Sequence, residues 1–185
     1  MPNETLDIIR SRRSIRRYTG QPIPEEGIRA ILDAAVYAPS ANNSQAWHFS
    51  VVRGEAMLTK VRAVMKQNML ASGVPRMLER ASVPGFVPFY NAPVLIILSA
   101  DPGYKYAQID CGIAVQTIAL AAESLGLGSC IMASSELLFA NDADGSLARE
   151  LGFPQGHKHV ISICLGYKDE ALEAKERNAG LVDYL

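Results

Sequence analysis

The sequence predicts an α+β protein in which a β-sheet lies between layers of helix. Three observations carry this reading. PVLIILSA, residues 93–100, is an unbroken apolar run, the pattern of a strand covered on both faces. YAQIDCGIAVQTIALAAESLGLG, residues 106–128, has helical length and is apolar nearly all round between Ile109 and Leu125, so it belongs in the core or against another subunit. Helices also precede the first strand and an extended tail follows the last, which a simple βαβ series does not produce. At 185 residues, 49% hydrophobic and 20% charged, the chain reads as one globular domain over residues 1–185.

Asn3 is a good N-cap for a first helix carrying Leu6 and Ile9 at helical spacing. The arginine-dense SRRSIRRYTGQPIP then leaves the helix before Gly20 and Pro22. Pro24 suits the first turn of a second helix, EEGIRAILDAAVYA, with Ile28, Ile31, Leu32 and Ala35 on one face. Pro39 ends it, and PSANNSQA forms a polar loop. In WHFSVVRG, Trp47, Phe49 and Val51 alternate with His48, Ser50 and Val52, predicting a strand with one face more buried than the other. A helix follows over about residues 55–70. ASGVPRMLERASVPGFVPFYNAP, rich in proline and aromatics, reads as an irregular lobe or lid with room for one short helix. After the apolar strand, the long helix ends at Gly126 in a left-handed cap. GSCIMA is a short strand, residues 144–151 a helix, and HVISICLGY a last strand. The tail from Lys168 is charged first and then apolar at Leu181, Val182, Tyr184 and Leu185, so it needs a surface to pack against.

Composition and motifs exclude several functions. The net charge of −1 provides no global field toward nucleic acid or an anionic membrane. No stretch has signal-peptide character, including MPNETLDIIRSRRS, and none approaches a membrane span. Cys111, Cys130 and Cys164, odd in number and set among apolar neighbours, read as buried thiols in a reducing cytoplasm, with oxidised partners or a reactive thiol as alternatives. Leu125-Gly126-Leu127-Gly128-Ser129 follows a helix and precedes a strand, the reverse of a dinucleotide-binding loop, and there is no Walker A sequence. His48, His157 and His159 lack partners at metal-ligand spacing, and no nucleophile motif for covalent hydrolysis is present. The side chains supply no evident redox or hydrolytic chemistry, which points to a bound cofactor.

Three polar features remain. Arg10, Arg12, Arg13, Arg16 and Arg17 straddle a helix end and a turn around Ser14, an arrangement suited to a phosphate or a polyoxygenated ring edge. A solvated basic face or a nucleic-acid patch is the plainer alternative. Ser40, Asn42, Asn43, Ser44 and Gln45 form either an ordinary helix-to-strand loop or a surface for a ligand rich in donors and acceptors. Lys175 and Arg177 stand in EAKERN, which alone reads as a solvated charge run.

Taken in order, SRRSIRRY, APSANNSQAWHF, NAPVLIIL, DCGIAVQTIALAAESLGLGSC and LGYKDEALEAKERN resemble the FMN-dependent nitroreductase family nearly end to end. The resemblance implies a homodimeric three-layer α-β-α sandwich with a mixed, mainly antiparallel central sheet and a long central helix. It implies FMN at two composite sites on the dimer interface, with NADH or NADPH as electron donor and a small-molecule acceptor. Arg12, Arg13, Ser14 and Arg16 match the family's N-terminal FMN-binding motif, and Lys175 and Arg177 its basic pair at the phosphate. Ser40, Asn42 and Gln45 match the loop reaching FMN from the partner subunit, and Asn68 an asparagine at the flavin's pyrimidine edge. Ala133, Ser134 and Ser135 occupy the segment along the isoalloxazine ring. Ala46 stands where the family often has proline, and IMASS departs from its usual sequence at the ring. The implied activity is ping-pong, two-electron reduction of nitroaromatic, quinone or similar acceptors. A flavin-binding module with little turnover, and specialised flavin chemistry on one metabolite, are the alternatives.

Overall fold

In the computed structural model, which describes residues 3–185, a four-stranded sheet is covered by helices on both faces. Met1 and Pro2, at the head of MPNETLDIIRSRRS, lie outside the described residues. The strands are β1 (Trp47–Val52), β2 (Val94–Ala100), β3 (Leu127–Met132) and β4 (Lys158–Tyr167), in the order β1-β2-β4-β3. All three strand pairings are antiparallel, with a register shift between Leu98 and Ser99. The parallel component is an isolated bridge from Ser14 to Ser129. β2 and β3 run in one direction with β4 inserted between them, so the connection from β2 to β3 must cross the sheet, and the long central helix makes that crossing.

The helices are α1 (Glu4–Ser11), α2 (Glu25–Val36), α3 (Glu55–Ala71), α4 (Pro75–Ser82), α5 (Ala107–Ser124) and α6 (Ser146–Glu150). Asn3 caps α1 as expected, its side chain accepting from the Leu6 N–H at 3.1 Å. Pro24 is the N-cap of α2, one position before its expected place. One core layer joins Ile28, Ile31 and Ala35 of α2 and Ala114, Ile118 and Ala122 of α5 to Ile96 and Leu98 of β2. The opposite layer joins Leu58, Val61 and Met65 of α3 to Leu95 and Ile97, the other face of the same strand. Alternate residues of β2 therefore feed two cores, which is why its sequence is apolar throughout.

One expectation changes. β1 buries Trp47 toward one layer and Val52 toward the other, because helices cover both faces even at this edge. The tail is tied to the arginine segment and α5 through Lys168, Asp169 and Glu170, while its apolar end is uncovered in the single chain: Tyr184 is 95% exposed, and Leu181, Val182 and Leu185 are also exposed. The apolar circumference of α5 is likewise only partly used, with Ile109 61% exposed, Ile113 exposed one turn on, and Leu125 exposed at the far end. No residue of α1 is buried, so Leu6 and Ile9 present an uncovered apolar face.

Candidate functional site

The arginine segment is pinned along the outer edge of β3. Ile15 N–H donates to the Ser129 carbonyl at 2.8 Å, and Tyr18 bridges Lys168 beyond β4. The Tyr18 hydroxyl donates back to the Ile15 carbonyl at 2.7 Å, closing the segment on itself. The Glu170 carboxylate accepts the backbone N–H groups of Arg16 and Arg17, leaving both guanidinium groups without an acidic partner. Arg17 donates instead to the Asp169 carbonyl at 2.8 Å, toward the tail.

The five arginines do not all converge. Arg13 folds back, its Nη1 within hydrogen-bond distance of the Arg10, Ser11 and Arg12 carbonyls at 2.6, 3.1 and 2.9 Å. These lie at the C-terminus of α1, where orphan carbonyls and the helix dipole attract a cation. Arg13 Nη1 thus helps to close α1, while its Nε is buried without a hydrogen-bond partner among the described residues.

A different arginine joins the cluster. Arg16 and Arg80 both lie against the Tyr90 ring, at 5.9 and 5.1 Å from its centroid, and Arg80 also lies 5.1 Å from that of Phe86. Beneath them is the buried Cys130. Burial pushes its thiol pKa up, while Arg16, Tyr90, Arg80 and Arg12 pull it partly back. Burial works against the Arg16 charge, but Tyr90, Cys130 and Glu170 outweigh it and raise its pKa. None of the ion pairs among the described residues includes Arg12, Arg16 or Arg80. The charges of Arg12, Arg16 and Arg80 all act on this thiol, and Glu170 acts on Arg16 without forming an ion pair with it.

The polar loop is held in an unusual backbone conformation. Asn42, Asn43 and Gln45 have φ of 54°, 52° and 47°, in the left-handed region that asparagine tolerates best among residues with a Cβ. Two supports hold it. Ser40 Oγ accepts the Gln45 N–H at 3.0 Å, and Asp110, 3% exposed in the first turn of α5, accepts the Ala41 N–H. Asp110 also accepts from the Tyr104 hydroxyl at 3.3 Å, and that hydroxyl contacts Ser44 Oγ at 2.6 Å. The side chains of Asn42, Asn43, Ser44 and Gln45 remain at the surface.

After β3, Ala133–Phe139 form a 3₁₀ turn. Ser135 is buried at its start, bonding the Met132 carbonyl and His159 Nε2, so its hydroxyl is structural. Ala133 is exposed and Ser134 half-buried, and the first N–H groups of such a turn have no partner within it. Asn68, 4% exposed, donates to the carbonyls of Leu137 and Leu138 and accepts from Asn141. Its amide ties α3 to this turn within the single chain. Lys175 and Arg177 are exposed, and the Arg177 side chain reaches only the Lys175 carbonyl.

Arg80 and Tyr90 were absent from the sequence-derived set. The only signal was local, one of two arginines, Arg76 and Arg80, among Met77, Phe86, Phe89 and Tyr90 in the irregular lobe. The roomiest cavities lie elsewhere, about 540 Å³ beside Tyr104 and Lys158 and about 530 Å³ beside Phe139 and Phe153. Among the described residues no helix is long and apolar enough to cross a membrane, and no group of three or more His, Cys, Asp or Glu is placed to hold a metal ion.

Comparison with known proteins agrees with this geometry. A nitroreductase with bound FMN from Bacteroides fragilis NCTC 9343 superposes with a TM-score of 0.92 at 32% identity, covering 100% of each chain. Another with bound FMN, from Desulfitobacterium hafniense DCB-2, gives 0.89 at 33% identity, again over 100% of each. The nitrobenzene nitroreductase of Ectopseudomonas oleovorans is 30% identical over 203 aligned residues, 90% of this chain and 87% of the relative. The nitroreductase family profile matches residues 9–167, from the arginine segment to the end of β4. With that span matched and the whole fold superposable, the chain belongs to the nitroreductase family.

Proposed function

We propose that this protein binds FMN and acts as an FMN-dependent NAD(P)H oxidoreductase from a homodimer in the cytoplasm. The carrying observation is the set of guanidinium groups at Arg12 and Arg16 beside Ser14, anchored along β3 and free of acidic partners. Such a set suits a dianionic phosphate and a polar ring edge. FMN bound there supplies two-electron transfer between a nicotinamide nucleotide and an oxidised acceptor such as a nitroaromatic or quinone.

The chain's own part is binding, orientation and charge. Arg12 and Ser14, with Lys175 and Arg177 from the tail, hold the phosphate. Arg16 would hold the N1–C2=O edge of the ring, where its guanidinium would stabilise negative charge. The free N–H groups at the start of the 133–139 turn, near Ser134 and Ser135, serve the N5 side. Ser40, Asn42 and Gln45 belong to a loop supported by Ser40 and Asp110, and would reach the ring of the partner's site. The uncovered apolar face of α1, Ile109 and Ile113 of α5, and the apolar tail end support a second copy as the covering surface. The three buried, unpaired cysteines support a reducing compartment.

The test is Arg12→Ala. A charged hydrogen bond contributes about 1.5–3 kcal/mol, so FMN affinity should fall roughly tenfold to a hundredfold. Flavin-fluorescence titration measures it, and wild-type affinity in the variant would remove Arg12 from the site. NADH and NADPH oxidation with a quinone acceptor tests turnover, and failure of both nucleotides to reduce the bound flavin overturns the oxidoreductase reading.

A further inference from the structure

We infer that Arg80 is the specificity residue of an acceptor subsite, and that this subsite takes a planar aromatic acceptor bearing an anionic group such as a carboxylate. The inference rests on the flavin reading above.

Arg80, near the end of α4, is half-buried and makes no hydrogen bond or ion pair among the described residues. Its guanidinium is held by the faces of two rings, Phe86 and Tyr90. Contact through the π face orients the group but uses none of its N–H donors, which lie in the guanidinium plane. A half-buried cation with five unused donors is set to receive an anion.

The surroundings say what the rest of that ligand must be. Arg80 lines a cleft with Met65, Met69, Met77, Met132 and Ser134. Thioethers are polarisable and adaptable, and they pack well against aromatic rings. A phosphate would gain nothing from such a lining, whereas a flat apolar body with one charged end would use both parts. Ser134 belongs to the turn assigned above to the flavin ring, so a molecule in the cleft lies beside the reacting centre.

The cleft is closed in the single chain, with space of about 10 Å³, enough for about one water. Entry of an acceptor therefore requires the lobe to move. α4 lies between Gly73 and Gly85, both at positive φ (68° and 76°), with no atom within 4 Å of where a Cβ would stand. Tyr90 sits in a run of three left-handed residues, Phe89, Tyr90 and Asn91, at φ of 59°, 56° and 55°. Backbone so far from its preferred region is held by its contacts and relaxes when they part.

The experiment uses the FMN-loaded protein and two acceptors of nearly equal size, 4-nitrobenzoate and 4-nitrobenzamide. Wild-type protein should prefer the anion. Arg80→Gln should lower kcat/KM for 4-nitrobenzoate about tenfold or more, the loss expected for one charged hydrogen bond, and change that for 4-nitrobenzamide less than about threefold. Arg80→Lys should fall between. Calorimetric titration with benzoate and benzamide gives a readout independent of turnover, and benzoate affinity should fall in the same ratio. Equal losses for both acceptors, weakened FMN binding, or an effect confined to the KM of NADH or NADPH would each overturn the assignment. If the protein does not bind FMN, or neither nucleotide reduces it, the flavin reading fails first and takes this one with it. Normal flavin reduction with no charge discrimination between acceptors overturns only the role of Arg80.

Discussion

Gly166 in β4 lies where the arginine segment crosses the sheet edge, and a single methyl there should disturb both fold and site. A Cβ at this position would stand 2.7 Å from Tyr18 Cδ1, 3.0 Å from Tyr18 Cγ and 2.8 Å from Pro93 Cδ. Pro93 is a rigid ring just ahead of β2, so Tyr18 must yield. Overpacking of this kind costs about 1–3 kcal/mol. Displacing Tyr18 also strains its 2.7 Å hydrogen bond to the Ile15 carbonyl, worth about 0.5–1.5 kcal/mol. Gly166→Ala should therefore destabilise by about 2–4 kcal/mol, a fall in melting temperature on the order of 10 °C for a chain of this size. The loss should reach the ligand as well, because Tyr18 anchors the stretch that presents Arg16. Calorimetry of the flavin-free protein and an FMN titration measure the two effects. Gly27→Ala, whose Cβ meets only Ile23 Cγ2 at an ordinary 3.4 Å, is the control and should be neutral or slightly stabilising. A Gly166→Ala protein that melts within a degree of wild type and keeps its FMN affinity would refute the packing argument.

Three further predictions follow from other parts of the molecule. Asp110→Ala leaves the Ala41 N–H and the Tyr104 hydroxyl without their shared acceptor. A loss of about 1–3 kcal/mol is expected, with faster amide exchange across residues 41–45; unchanged exchange there would show that the loop keeps its shape without Asp110. His159 is held neutral by burial, its pKa lowered to about 4, with Ser135 and Ser162 at its Nε2. Between pH 6.5 and 4 the unfolded chain binds a proton that the folded chain refuses, so stability should decline by up to about 3 kcal/mol as pH falls through that window. Urea midpoints across the range should show this slope, flattened in His159→Gln; equal slopes would assign the acid sensitivity to other groups. Removing residues 179–185 takes away exposed apolar side chains, so a chain ending at Asn178 should shift toward monomer in sedimentation while keeping its circular dichroism. An unchanged dimer constant would mean that the tail end lies outside the interface.

Much of this protein is determined by sequence read locally. Local signals mark several elements, so the short unbroken apolar run of β2, the length of α5 and the N-cap at Asn3 could be read directly. The ordered motifs likewise identify the nitroreductase family and its arginine–serine segment before any fold is known. Tertiary structure decided what each polar group faces, because those partners are remote in sequence. Asn68 bonds carbonyls about seventy positions away. The left-handed turns at Asn42–Gln45 and Phe89–Asn91 contain no glycine, so neither carries the usual sequence mark of positive φ. Arg80 meets Tyr90 and Arg16 only when the lobe folds over β3. Charge along the chain shows where an anion site begins, and only long-range packing shows which cations stay unpaired, since burial and the partners left unpaired are properties of the whole fold.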